Sequence, residues 1–296
     1  MISQFLIILR EGFEAAFTVS IVLAYLKKIG KRSLYRYVWY GAVVAIALSL
    51  VIGHSTWLVY GVLPKPFQAL FEGTAAWLAM AVLTYMIHWM GSKGREIRED
   101  VRRKVKAAET HGTAIGLSAL AFLIVFREGV ESVLFLLPFL VKDLTATLLG
   151  SASGILAAAI FAYAVFTAGA KMSVRKFFYV TSILLILLAG GLAGYGTHEI
   201  IEYLEHSGID LDWLASEAYA LPVPQENPLH DKSIVGSILS VFFGYTVKAE
   251  WARIMVHLSY LVIALPATIR MYLRKDQQCS KMDYENPYLA NIEQIA

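Results

Sequence analysis

The chain has 296 residues, 57% of them hydrophobic and only 17% charged, with a mean hydropathy of +0.58. That is too apolar for a water-soluble domain of this length, where about a quarter of residues carry charge. Lys and Arg number 26 against 23 Asp and Glu, a small excess that lends nucleic-acid binding no support. The single cysteine, Cys279, excludes a disulfide framework and cysteine-based zinc or iron–sulfur sites. Any metal falls to oxygen and imidazole ligands.

Apolar stretches of about 20 residues predict seven helices near 2–26, 37–62, 68–90, 113–140, 146–170, 176–198 and 251–273. The first lacks a basic leader and is interrupted by Arg10, Glu11 and Glu14, so no cleavable signal peptide is expected. Lys27, Lys28, Lys31, Arg32 and Arg36 fill the first loop. Lys93, Arg95, Arg98, Arg102, Arg103, Lys104 and Lys106 fill the third, and Lys171, Arg175 and Lys176 the fifth. The sixth loop is acidic, with Glu199, Glu202, Glu205, Asp210, Asp212, Glu217, Glu226 and Asp231 against Lys232. Basic odd-numbered loops place the N-terminus outside and the C-terminus in the cytoplasm. The expected fold is an all-α polytopic membrane protein of seven transmembrane helices. Its membrane domain covers 1–275: repeat one over 1–90, repeat two over 113–198, an extracytoplasmic acidic loop over 199–250 and a last helix over 251–273. A cytoplasmic tail, 276–296, follows.

Arg10-Glu11-Gly12-Phe13-Glu14 recurs 117 residues later as Arg127-Glu128-Gly129-Val130-Glu131. Each ionised side chain exposed to lipid at a helix centre costs roughly 2.5–3.5 kcal/mol, so the six charges must face one another or water. At 100° per residue, Arg and both Glu share one stripe while Gly lies near the opposite face, where it admits a neighbouring backbone. Each Arg precedes the second Glu by one turn and is placed to pair with it. Joining the two stripes gives four Glu and two Arg, a formal charge of −2. Three spans separate the copies, so the two three-helix units form an inverted repeat with a seventh helix appended, as in transporters with a midplane site. Carboxylates favour a hard cation such as ferric iron, manganese, calcium or magnesium. The competing reading, two intramembrane salt bridges that only stabilise packing, leaves the surplus carboxylates unexplained.

These motifs, with Leu70-Phe71-Glu72-Gly73, His88-Trp89-Met90 and Phe243-Gly244-Tyr245 followed by Glu250, resemble the oxidase-dependent iron transporter family of fungal high-affinity iron permeases and bacterial EfeU-type permeases. The resemblance covers nearly the whole chain. It implies an iron permease rather than an enzyme, importing iron, expected ferric, across the cytoplasmic membrane. It also implies Glu11, Glu14, Glu128 and Glu131 as iron-binding residues, oriented by Arg10 and Arg127. Iron is then the transported substrate, and no permanently bound cofactor is expected. The implied partners are a separate extracytoplasmic oxidase or peroxidase and an iron-binding protein, beside membrane lipid. The aspartate-containing motif that fungal members carry between spans six and seven is not evident. A manganese or magnesium transporter is the alternative. A membrane-embedded carboxylate-metal enzyme is disfavoured, because the Glu-x-x-His pattern of di-iron bundles is absent.

Further candidates are weaker. Glu72 is either an outer ligand or an interfacial acid accepting helix N-terminal amides, the latter preferred. His198, Glu199, Glu202 and Glu205 form either an outer metal-collecting face or a solvated acidic helix end. Glu250 is either a transport residue or an ion-pair partner of Lys248 and Arg253. The run Ala189-Gly190-Gly191-Leu192-Ala193-Gly194-Tyr195-Gly196 lacks the Gly-Lys-Ser/Thr ending of a nucleotide loop and reads as close helix packing.

Overall fold

The structure, a computed structural model, describes residues 1–93, 103, 114–166, 174–209, 211–224, 227 and 233–285. Most of the basic third loop, the loop around Lys171, part of the acidic loop including Asp210, Glu226, Asp231 and Lys232, and the end of the tail lie outside the described residues. The long helices are α1 (Ile2–Lys28), α2 (Tyr35–Gly61), α3 (Lys65–Lys93), α4 (Ala114–Leu140), α5 (Leu144–Phe166) and α6 (Val174–His206). A short α7 (Ile234–Phe243) and the long α8 (Trp251–Glu285) follow, with strands β1 (Glu217–Ala220) and β2 (Lys248–Glu250) paired antiparallel between α6 and α8.

Five segments are long and apolar enough to cross a membrane: Arg32–Gly61, Lys65–Gly91, Leu144–Val165, Phe177–His206 and Trp251–Leu273. The chain is therefore a multi-pass helical membrane protein. Helices α1 and α4 match them in length at 27 residues each but carry the charged motifs. The outer helices expose Val43, Ile46 and Leu50 on α2 and Leu148, Ile155 and Ile160 on α5. Such apolar faces suit lipid rather than water. The polar interior is the reverse: Arg10, Glu11, Glu14 and Glu128 are buried.

Within each three-helix unit, helices adjacent in the chain scarcely touch. The extensive pairings are α2 with α4, α3 with α6, α1 with α5 and α6 with α8, followed by α1 with α4. Apart from α6 with α8, the set is unchanged when the first three helices are exchanged for the second three, so each three-helix unit is completed by the other. Small residues make these crossings. A Cβ on Gly12 would stand 3.1 Å from Ala158 Cβ on α5, and one on Gly129 would collide with Ser49 on α2. Gly41 meets the α4 backbone at Ser118 and Phe122, as Gly150 and Gly154 meet the α1 backbone at Met1 and Phe5. Gly73 and Gly196 cross each other's backbone between α3 and α6. The motif glycines thus lie on the face that admits a neighbouring helix, and Gly196 of the glycine run serves packing as expected.

Two elements depart from the sequence reading. Helix α6 continues eight residues past the expected end at 198, because Ile200, Ile201 and Tyr203 extend its apolar face over α3, Ile200 against Gly73 and Tyr203 against Phe67. The polar loop holds the hairpin and α7, whose N-cap Ser233 accepts from Gly236 N–H at 3.0 Å and whose C-cap Gly244 takes φ +63°. At 10 residues, α7 is too short to be read as a span, and it starts and stops at its Ser and Gly caps.

Gly41→Val should destabilise the protein by roughly 1–3 kcal/mol or more, since both backbone groups it meets are fixed within α4. Gly61→Ala, with no atom within 4 Å of the added Cβ, is the control. Thermal unfolding in one detergent compares them, and equal melting of the two variants would contradict the crossing.

Candidate metal centre

Both motifs fall at mid-helix, with Glu14 one residue from the centre of α1 and Arg127 at the centre of α4. The contact between α1 and α4 brings them together. Glu11, Glu128 and Glu131 each offer one carboxylate oxygen, all within 4.8 Å of one another. Glu14 stands beside this trio and links the two helices, with Oε2 3.7 Å from Arg10 Nη2 and Oε1 3.9 Å from Arg127 Nη2. One oxygen of each of the four carboxylates is buried with no hydrogen-bond partner among the described residues. Buried polar atoms are rarely left so.

The two arginines are not equivalent. Arg10 is fully buried and donates from Nη1 to Glu11 at 2.6 Å. It also donates to the thioethers of Met86 at 3.4 Å and Met90 at 2.9 Å on α3, which are weak acceptors. Arg127 keeps 45% of its side chain exposed, donates from Nε to Glu131 at 2.9 Å, lies 3.6 Å from Glu128 and stacks over Trp89 at 5.4 Å. The expected pairing of Arg with the second Glu therefore holds in α4, whereas in α1 the closer partner is the first Glu. The fourth motif position differs too. Phe13 is fully buried among Phe161, Phe177 and Phe178, while Val130 is 37% exposed. Met86, Met90 and Trp89 were not predicted at the site. The signals available were the four-residue spacing of the methionines and the His88-Trp89-Met90 segment.

A second group lies at the far end of α6. Phe178 marks the level of Phe13, and His198 is 20 residues further on, about 30 Å along the axis. His198, Glu199 and Glu202 bring ligand atoms within 4.8 Å of one another. Glu205 is not part of that group. His198 Nδ1 bonds Glu250 Oε1 at 2.9 Å, and Lys248 instead joins Glu217 at 3.1 Å, so the expected Lys248–Glu250 pair is replaced. Burial pushes the Glu250 carboxyl up, but the hydrogen bond and charge of His198 outweigh it and hold the carboxyl below its usual range. Glu72 accepts from the hydroxyls of Tyr60, at 2.6 Å, and Tyr195. Its partners are side chains on α2 and α6 rather than the helix N-terminal amides expected, because the Gly73–Gly196 crossing brings Tyr195 alongside.

A bundle with lipid-facing apolar flanks and a buried carboxylate cluster between two of its helices defines a multi-pass membrane permease. The chain belongs to the iron permease FTR1 family, whose profile matches residues 1–272. It is 42% identical over 274 residues, 93% of this chain and 96% of the other, to an uncharacterized protein of Archaeoglobus fulgidus. It is 33% identical over 268 residues, 90% of this chain and 92% of the relative, to the ferrous iron permease EfeU of Yersinia pestis. The corresponding EfeU of Escherichia coli is 31% identical over 272 residues, covering 91% and 95%. No solved structure matches.

The burial difference between the arginines has a measurable consequence. Arg10→Met leaves buried carboxylates without their cation and should cost about 3–5 kcal/mol, whereas Arg127→Met, screened by solvent, should cost clearly less. Equal losses in detergent melts would contradict this.

Proposed function

We propose that the chain imports iron across the cytoplasmic membrane through a site formed by Glu11, Glu14, Glu128 and Glu131 and oriented by Arg10 and Arg127. The observation that carries this reading is the buried oxygen on each of the four carboxylates that has no hydrogen-bond partner among the described residues. With all four carboxylates ionised, two arginines leave a formal charge of −2 in an apolar bundle, which a bound metal cation or protons can neutralise. The same charge favours ferrous iron, which would make the cluster neutral. Ferric iron, expected from the hard oxygen donors, would leave it with a net positive charge. The Yersinia and Escherichia relatives, named as ferrous iron permeases, favour the same state.

In this reading α1 and α4 also cross the membrane, making seven spans, with the N-terminus outside as the basic odd-numbered loops indicate. The two three-helix units then have inverted topology, and the symmetric helix pairing supports it. Iron reaches the site from outside and displaces Glu14 from its two arginine contacts. It leaves inward as one unit rocks against the other. His198, Glu199 and Glu202 act as outer ligands that collect the ion, with Glu250 holding the imidazole and Glu72 further along the same end. An extracytoplasmic iron-binding protein supplies the ion, and the oxidase or peroxidase expected beside it belongs to a ferric route, because oxidation of ferrous iron yields the ferric ion. A manganese carrier would use the same oxygens.

Proteoliposomes offered ferrous iron, ferric iron and manganese separately test the assignment. Wild type should accumulate ferrous iron, and the inserted Glu14→Gln/Glu131→Gln double variant should fall to the level of empty vesicles. Unchanged uptake by the double variant would remove the site, and preferred manganese would replace the substrate. His198→Ala/Glu202→Gln should raise KM for iron with little change in kcat, because these residues act on capture rather than passage.

A further inference from the structure

A cavity of about 360 Å³ lies between α6, α7, β2 and the start of α8, away from the carboxylate cluster. Most of its wall is apolar, including Leu239, Phe243 and Leu258, but Arg253 and His257 also line it. Among the described residues Arg253 has no hydrogen bond and no ion pair within 4.0 Å. Glu250 and Glu199 act on it only from longer range. It stands in the first turn of α8, where the positive end of the helix dipole adds to its charge. His257 is 7% exposed, and its Nδ1 is buried with no hydrogen-bond partner. The nitrogen-bearing edge of the ring faces a space that Gly244 keeps open. A Cβ there would lie 2.6 Å from Cε1, 2.8 Å from Nδ1 and 2.9 Å from Nε2. A partly buried cation and a buried imidazole nitrogen that can carry a proton, both without hydrogen-bond partners among the described residues and opening on one cavity, suit an anion.

We propose that this cavity binds a phosphate group, held by the Arg253 guanidinium and the His257 imidazole. The surroundings indicate a phospholipid headgroup as its source. Helix α7 turns Val235, Ile238 and Phe243 outward, and Trp213 and Trp251 are also exposed near this end of the bundle. Aromatic side chains at such a level mark the membrane interface, and the apolar wall of the cavity suits the lipid's glycerol and upper acyl carbons.

Thermal unfolding and native mass spectrometry of the delipidated whole protein test the proposal. The probes are phosphatidylglycerol, a neutral glycolipid and inorganic phosphate, and the variants are Arg253→Gln and the cavity-filling Gly194→Leu, which keeps both polar groups. Phosphatidylglycerol should bind wild type saturably and raise its melting temperature, and either variant should weaken binding at least about tenfold. Without lipid, Arg253→Gln should melt no lower than wild type, because it removes a cation that has no partner. A response to inorganic phosphate alone would keep the site but assign it to the free anion. Equal binding by wild type and both folded variants, equal response to the glycolipid, or no saturable binding would overturn the proposal.

Discussion

Six ionisable groups placed at the middle of two apolar helices constrain everything else in this molecule. Exposed to lipid one by one, they would cost more than the net stability of most domains. The helices that carry them must meet, and the bundle is arranged so that they do. Arg10 sits at zero exposure between Glu11 and two thioethers, and Glu14 spans the gap between Arg10 and Arg127. This interior leaves one carboxylate oxygen per glutamate without a hydrogen-bond partner among the described residues. In the proposed function that interior is a mould for a cation rather than a finished salt-bridge network.

Close helix approach is the second requirement, and it explains where the small residues lie. Gly12 and Gly129 face away from the charges of their own motifs and let α5 and α2 close over them. The Gly73–Gly196 crossing does the same for α3 and α6, and in doing so it brings Tyr195 to Glu72. Packing and polar chemistry are coupled here. A crossing set by two glycines decides which carboxylate is capped by tyrosines and which remain available.

The breaks in symmetry are as informative as the symmetry. The motifs are near copies, yet Arg10 is sealed by α3 while Arg127 stays 45% exposed beside Trp89. Phe13 anchors an aromatic cluster that Val130 lacks. One motif is thus enclosed by packed side chains, and the other borders open space. The alternating-access cycle of the proposed function requires such a difference between the halves in any single state.

The sequence by itself determined the membrane class, the approximate helices, and the face on which Arg and Glu, opposite Gly, lie in each motif. These depend on hydropathy and on the fixed 100° step of a helix, both of which are local. It also carried the family likeness, because two motif copies in the right spans are specific. The tertiary structure alone decided that α1 pairs with α5 and α2 with α4, that Glu14 lies beside the carboxylate trio, and that Met86 and Met90 receive Arg10. It also placed His198 on Glu250 rather than leaving that acid to Lys248. The side-chain contacts among these join residues 52 or more positions apart, from His198 with Glu250 up to Glu14 with Arg127. Their geometry is set by how helix faces close on one another, which no local period in the sequence encodes.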